Sequence, residues 1–266
     1  IKLIKNVIRL RRWPKYNKPI MIASWPGVGN VSLIASRFLK EKLDPPGLAF
    51  IDPLPFFTPS GIIVEKNIIQ EPQFPGSILY GIKSPKRKRD VILFIGDSQP
   101  VAKGYELAEM VVEVAEQLGV DTIVTLAAVL SASYNIETLR VWAVATEEKI
   151  LSELRKDKGL LFRGELQIAG LNGLLLGIAK MRNMNGICFL GEVPSHLTQV
   201  PYPKAAVAVL EPLLRYLELD VELSDLRKLA QESEAEIKKL SQQAMSEYLE
   251  NFTTPIWESG EEKEEE

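Results

Sequence analysis

The chain has 266 residues, of which 46% are hydrophobic and 25% charged, a composition typical of a globular protein with room for one large domain. The formal net charge of −3 gives no electrostatic support for binding nucleic acid. No uninterrupted apolar segment reaches the roughly 18 residues that a membrane-spanning helix needs. We therefore predict no nucleic-acid partner and no association with a membrane.

The chain has one cysteine, Cys188, and one histidine, His196. They exclude an internal disulfide and a structural zinc site built from Cys and His. The first 16 residues alternate apolar with basic side chains and lack the apolar centre of a signal peptide. These features predict a cytoplasmic protein with no metal site and no cofactor, in which Cys188 is a small buried hydrophobe.

Strand-like and helix-like segments alternate through the first part of the chain. An apolar strand at 19–23 precedes an amphipathic helix at 31–43, and a second strand follows at 47–51. A stretch rich in Pro, Phe and Gly comes next. Short strands at 61–65 and 77–82 are expected to add antiparallel pieces.

The alternation continues through the second part of the chain. Its clearest strand is the continuous apolar run at 91–97, as parallel sheets require. The order of elements predicts a three-layer α/β/α sandwich with a mostly parallel sheet. The remaining predicted elements are a helix at 103–118, strands at 122–128 and 140–146, helices at 147–156 and 172–182, a strand at 186–191 and a helix at 203–217.

From Ser224 the pattern changes to a long charged helix that runs to about Leu249. It is polar on most of its surface and therefore needs a partner surface, on its own domain or on a neighbouring subunit. We divide the chain into an α/β/α domain at 1–223, a C-terminal helical extension at 224–250 and an acidic disordered tail at 251–266.

The stretch SWPGVGNVS at 24–32 connects the first strand to the first helix. It does not fit a phosphate loop of the Walker type, because no lysine follows the glycines until Lys40. It fits the dinucleotide fingerprint G-x-G-x-x-G better, with serine in place of the third glycine. Asp52 then ends the next strand, where a ribose-binding acid is expected.

A tight turn is the alternative interpretation of this stretch. Gly27 and Gly29 would then supply backbone freedom, and Asn30 would cap the following helix. Nucleotide binding and a structural turn both remain open on the residues alone.

Three polar residues each follow a predicted strand: Asp97, Glu192 and His196. The carboxyl ends of parallel strands line the crevice of an open α/β sheet. The stretch at 192–196 gathers an acid, a hydroxyl and the imidazole of His196 within five residues, a grouping that suits a general-acid or hydrolytic site. A surface loop with incidental polar residues is the alternative, and no G-x-S-x-G elbow supplies a hydrolase nucleophile. The candidate crevice therefore comprises Gly27, Gly29, Asn30, Asp97, Glu192 and His196.

Three aromatic residues, Phe56, Phe57 and Phe74, lie in the irregular Pro-rich stretch. Aromatic side chains in such an insertion are typical either of core or of a protein-binding surface. We treat them as a candidate protein contact.

The turn Pro-Gly-Val-Gly-Asn-Val at 26–31 resembles the signature turn of the proteasome assembly chaperone 2 family. Ser32 stands where the family usually has Gly, and Val193 where it often has Thr. Further similarities follow in order: Asp52-Pro53 with Phe56-Phe57, Phe94 to Pro100, Thr125 to Ala128, Gly170 to Leu175, Leu190-Gly191-Glu192 and Pro203 to Ala206.

The resemblance implies a phosphorylase-like α/β/α fold and an assembly or binding protein without catalysis. It implies a homo-oligomer whose clients are proteasome-type α subunits or another assembly client. The alternative is an enzyme or sensor that binds a nucleotide, a nucleoside or phosphate in the crevice at the carboxyl ends of the strands.

Overall fold

The computed structural model describes residues 8–9, 14–83, 89–132, 137–162 and 164–253. The predicted acidic tail lies outside the described residues from 254 onward. The strands are β1 (Ile8–Arg9), β2 (Ile20–Ser24), β3 (Gly47–Ile51), β4 (Val64–Glu65), β5 (Ile68–Ile69), β6 (Ser77–Ile82), β7 (Val91–Gly96), β8 (Thr122–Ser131), β9 (Val141–Ala145), β10 (Leu160–Leu161) and β11 (Asn185–Pro194).

Helices connect and flank these strands. They are α1 (Val31–Leu43), α2 (Gly104–Gln117), α3 (Glu148–Leu154), α4 (Leu171–Met181), α5 (Pro203–Tyr216) and α6 (Ser224–Thr253). Two single 3-10 turns, Val28–Asn30 and Ser195–Leu197, precede α1 and follow β11.

Among the described residues, nine strands form the main sheet, in the order β1-β3-β6-β7-β2-β8-β11-β9-β10. The four central strands, from β7 to β11, are mutually parallel, so their carboxyl ends meet at one edge. Antiparallel strands β6 and β9 adjoin this centre on its two sides. The predicted α/β fold with a large, mostly parallel sheet flanked by helices is confirmed, and β6 adds the antiparallel piece expected at 77–82.

Both faces of the central strands are buried, which explains their continuous apolar sequences. Along β2, Ile20 and Ile22 face one helical layer, and Met21 and Ala23 face the other. The first layer comprises α1, α3, α5 and the start of α6. The second comprises α2 and α4.

Cys188 lies fully buried in the middle of β11. Burial raises the pKa of its thiol to about 12. A thiol in this setting is neutral at physiological pH, and the prediction of a small buried hydrophobe is confirmed.

The long helix α6 packs on the domain along its first half. Leu226 and Ala230 are buried there, and Lys204 Nζ donates to Glu234 Oε1 at 2.7 Å. Farther along, Leu240 and Met245 are exposed. Among the helices of the described residues, none is both long enough and apolar enough to cross a membrane.

Candidate functional site

The turn between β2 and α1 lies at the carboxyl edge of the parallel strands. Gly29 has a φ of +61°, a left-handed conformation that favours glycine. A β-carbon there would lie 3.2 Å from Cβ of Tyr202 and 3.4 Å from Cγ2 of Val193. Gly27 has an extended backbone, with φ of −165°, and its position has room for a β-carbon. Only the second glycine of the motif is therefore required by the backbone.

Asn30 occupies the N-cap position of α1, with a left-handed φ of 50°. Its side chain makes no capping hydrogen bond to the described first turn of the helix. The predicted capping role is wrong, because a left-handed cap residue does not present its side chain as the usual extended one does.

A buried asparagine on α4 holds the beginning of the turn. Asn172 accepts a hydrogen bond from the backbone N–H of Trp25 through Oδ1 at 3.1 Å and donates from Nδ2 to the Trp25 carbonyl at 3.2 Å. Its side chain therefore pairs with both backbone groups of Trp25, in a chain segment that has left the sheet. The indole of Trp25 is fully buried beneath this contact, 4.8 Å from the ring centroid of Phe94.

Gln99 links the same turn to the start of α4. Its Nε2 donates to the Pro26 carbonyl at 2.5 Å, and its Oε1 accepts from the Leu171 N–H at 2.9 Å. We call Trp25, Pro26, Gln99, Leu171 and Asn172 the strand-end network. In this network, the side chains of Gln99 and Asn172 form hydrogen bonds with backbone groups of Trp25, Pro26 and Leu171 at the carboxyl edge.

Asp97 lies on the α1 face of the sheet. Its Oδ1 accepts from Nη2 of Arg37 at 2.9 Å, and both side chains are about half-exposed. Ion pairs exposed to this degree contribute about 0–1 kcal/mol to stability, since water screens them.

Glu192 lies at the end of β11, with only 2% of its side chain exposed. Arg140 embraces this carboxylate: its Nη2 donates to Oε1 at 2.6 Å and its Nε to Oε2 at 3.1 Å. The hydrogen bonds from Arg140 are the main reason that the pKa of Glu192 is lowered despite burial. A carboxylate held in this way is a poor proton donor, which removes it from the role of general acid.

His196 lies in a different place, in the groove between the Ser195–Leu197 turn and α6. The groove has a volume of about 620 Å³ and is also lined by Tyr202, Ile237 and Met245. Burial raises the pKa of the Tyr202 hydroxyl to about 12, with a further contribution from the nearby carboxylate of Glu234.

The structure divides the predicted crevice among five settings, one of which is the groove that contains His196. Gly27 and Asn30 line one cavity of about 450 Å³ together with Val28, Ser98, Gln99, Thr198 and other residues of the carboxyl edge. Gly29 is buried behind it, Asp97 pairs with α1, and Glu192 pairs with Arg140. The described lining of this cavity does not include Glu192, Ser195 or His196, so it does not bring the predicted acid, hydroxyl and imidazole together.

Asp52 cannot act as the ribose-binding acid of a dinucleotide site at this turn. Strands β6 and β7 separate β3 from β2, which places the end of β3 about 14 Å from β2 at the usual strand spacing. The Asp52 carboxylate instead accepts a hydrogen bond from the Leu54 N–H at 3.0 Å.

The three candidate contact aromatics separate into core and surface. Phe56 is buried against the α2–α4 layer. Phe57 and Phe74 are half-buried and line a surface cavity of about 410 Å³, whose wall also includes Ile62 and Ile63.

The strands β4 and β5 form a separate hairpin that projects from this insertion. Its two-residue turn, Lys66 and Asn67, has φ values of 50° and 63°, the pattern of a type I′ turn. We call residues 62–69 the apolar hairpin, since its five apolar side chains are between 45% and 69% exposed. They are Ile62, Ile63, Val64, Ile68 and Ile69.

Four further residues determine the geometry of the carboxyl edge, and their sequence patterns do not predict this: Gln99, Arg140, Asn172 and Tyr202. Asn172 and Gln99 had a signal, because both stand in strings shared with the family. Arg140 had none, since a lone arginine before a strand is ordinary surface sequence. Within the described part of the chain, no group of three or more His, Cys, Asp or Glu side chains is arranged to hold a metal ion.

Comparison with known proteins gives a family and several similar structures. The PAC2 family model matches residues 21–241. An uncharacterized protein of Methanocaldococcus jannaschii is 28% identical over 225 residues, covering 83% of this chain and 82% of the relative.

Two crystal structures from Pyrococcus furiosus are similar to this chain. PbaB, described as an archaeal proteasome activator, is 28% identical with a TM-score of 0.76 and covers 88% of this chain and 98% of its own. PbaA, described as an archaeal homolog of proteasome-assembly chaperone, is 26% identical with a TM-score of 0.69 and covers 92% of this chain and 96% of its own.

Proposed function

The chain belongs to the PAC2 family, and from that membership we propose that it acts by binding other proteins, as a homo-oligomeric assembly factor of the cytoplasm and not as a catalyst. The clients are proteasome-type α subunits or another assembly client. The descriptions of PbaB and PbaA, which both concern the proteasome, support this class of partner.

The observation that carries the proposal is the apolar hairpin. Its five aliphatic side chains lie on the two short strands and on the two residues before the first of them, and none is more than about half covered. Contiguous exposed apolar surface is uncommon on soluble proteins unless it serves an interaction. We assign client binding to this surface and to the half-buried Phe57 and Phe74 behind it.

The backbone of the hairpin supports the same role. A two-stranded hairpin alone is marginal in water and gains stability from contact with a larger surface. The type I′ turn fixes its register, with Val64 opposite Ile69. The hairpin therefore presents a defined arrangement of side chains to a client.

The proposal is tested by mixing the purified chain with purified archaeal proteasome α subunits and measuring binding by gel filtration and calorimetry. The double variant Ile68→Thr/Ile69→Thr keeps β-branched side chains and removes apolar surface. We expect its dissociation constant for the α subunits to rise at least about tenfold, the scale of losing central apolar contacts. Met181→Gln, an equally apolar and exposed position on α4, is the matched control and binds as the unaltered chain does.

Two results contradict the proposal. Unaltered binding by the hairpin variant removes the hairpin as the client surface. If the unaltered chain does not bind α subunits at all, the client class is wrong.

The cavity beside the turn supports a second candidate, a small-molecule enzyme or sensor. Its polar lining, which includes Asn30, Ser98 and Gln99, lies at the carboxyl edge where α/β folds bind ligands. A nucleotide, nucleoside or phosphate present at 100 times its dissociation constant would stabilise the fold by about 2.7 kcal/mol. Thermal-shift measurements without any stabilisation by these compounds would rule this candidate out.

A further inference from the structure

A row of four charged residues runs along the outer surface of α1 and onto its C-cap. Arg37, Lys40, Glu41 and Asp44 are all exposed, and they line one open cavity of about 600 Å³. Residues three or four apart on a helix share a face. We call this row, two cations followed by two anions, the α1 stripe.

The neighbouring sheet surface is partly apolar. Ile78 and Tyr80 of β6 line the same cavity and are half-exposed beside the stripe. The ammonium of Lys40 lies 5.3 Å from the ring centroid of Tyr80. The stripe and these two side chains together form a surface with an apolar part and a charged part, as protein–protein interfaces have.

We propose that the α1 stripe is the contact surface for a second copy of this chain, related to the first by a twofold axis that passes between Lys40 and Glu41. A twofold contact uses the same surface on both copies. Two α1 helices that run antiparallel across this axis place Lys40 opposite the partner's Glu41, and Arg37 opposite the partner's Asp44. Every pair across the axis then joins opposite charges.

The order of the charges selects a second copy over other partners. A surface that binds itself across a twofold axis needs charges of opposite sign at equal distances on the two sides of the axis, and the stripe has this pattern. A partner of uniform charge, such as a nucleic acid or an anionic membrane, would be attracted by two of these side chains and repelled by the other two.

Arg37 is already oriented for this contact by its own domain. Its Nη2 donates to Asp97 Oδ1 at 2.9 Å, which restricts the side chain before the second copy arrives. The guanidinium has further N–H donors for the partner's Asp44. Asp97, a predicted crevice residue, is on this account a positioning residue for the contact.

This inference rests on the proposed homo-oligomeric function and assigns a surface to it. The test uses two single variants at the axis, Lys40→Glu and Glu41→Lys. The first places two acidic side chains opposite two acidic ones, and the second does the same with basic ones. We expect the dissociation constant for self-association of each variant alone to rise at least about tenfold. An equimolar mixture of the two should regain the association of the unaltered chain.

Sedimentation over a range of protein concentrations measures the association. Lys180→Glu on α4 and Glu106→Lys on α2 make the same charge changes at exposed sites of the other helical layer and leave the association unaltered. A monomeric unaltered chain overturns the inference, as does an unaltered association of both variants or a failure of the mixture to reassociate. Measuring client binding by the monomeric variants distinguishes a loss of self-association from the loss of client binding that the hairpin test measures.

Discussion

The strand-end network and the apolar hairpin both lie in connections between elements of the main sheet, but they differ in which of their groups have partners. In the network, side chains from α4 and from the loop after β7 satisfy the backbone of the turn. In the hairpin, backbone pairing is local, and the apolar side chains are left to solvent.

The difference separates stability from recognition. Substitutions in the network should change the free energy of unfolding, because buried polar groups lose their partners. Substitutions in the hairpin should change binding and leave the fold unaffected. Four predictions test this contrast, from the largest expected effect on stability to the smallest.

Replacing Asn172 by Ala should have the largest effect. It leaves the N–H and the carbonyl of Trp25 buried without their partners, at a cost of about 3 kcal/mol of unfolding free energy. Urea denaturation measures the loss. Lys180→Ala on the same helix, at an exposed position, should change stability by less than about 0.5 kcal/mol.

Gly29→Ala should destabilise by about 2 kcal/mol, because alanine is strained at positive φ and the new β-carbon crowds Tyr202. Gly27→Ala is the internal comparison and should cost less than about 1 kcal/mol, since its backbone is extended. Equal losses for the two variants would show that the turn adapts to a β-carbon at either position.

Arg140→Gln should destabilise the fold at pH 7, by less than Gly29→Ala and by more than the hairpin variant, because it leaves the Glu192 carboxylate buried without its charged donor. The folded pKa of Glu192 is lowered, so the stabilisation is present above the unfolded value of about 4.3 and is lost as the pH falls through the folded pKa. The difference between variant and unaltered chain should therefore shrink in acid. Denaturation across pH 2 to 7 checks this, and a constant difference would contradict it.

Ile68→Thr/Ile69→Thr should have the smallest effect, less than about 0.5 kcal/mol on unfolding, because both side chains are mostly exposed. Thermal denaturation of this variant and of the unaltered chain, measured alongside client binding, compares the effect on stability with the effect on binding. A large loss of stability would mean that the hairpin packs on its own domain in solution.

Periodicity was sufficient to predict most of the regular elements. The apolar run at 91–97 and the helix at 31–43 have clear patterns, since a buried parallel strand and an amphipathic helix differ in spacing. The structure places β7 and α1 within one residue of these predictions.

The strand order and the polar contacts across the fold could not be predicted. Asp52 appeared suitable for ribose only if β3 adjoined β2, and sequence patterns do not specify lateral order. Asn172 is 147 residues from Trp25 along the chain, so no local spacing connects them. Arg140 pairs with Glu192 only because β9 is antiparallel to β11.

The single cysteine gives the molecule an internal reporter of its own opening. Cys188 is in β11, and its side chain packs in the cluster of the α2–α4 layer, which must move off the sheet before a reagent reaches the sulfur. With a thiol pKa raised to about 12 by burial, the native state contains almost no thiolate to react. The rate of alkylation therefore follows the rate or the population of this opening, and mass spectrometry of the alkylated chain can follow folding in every variant above without an engineered label.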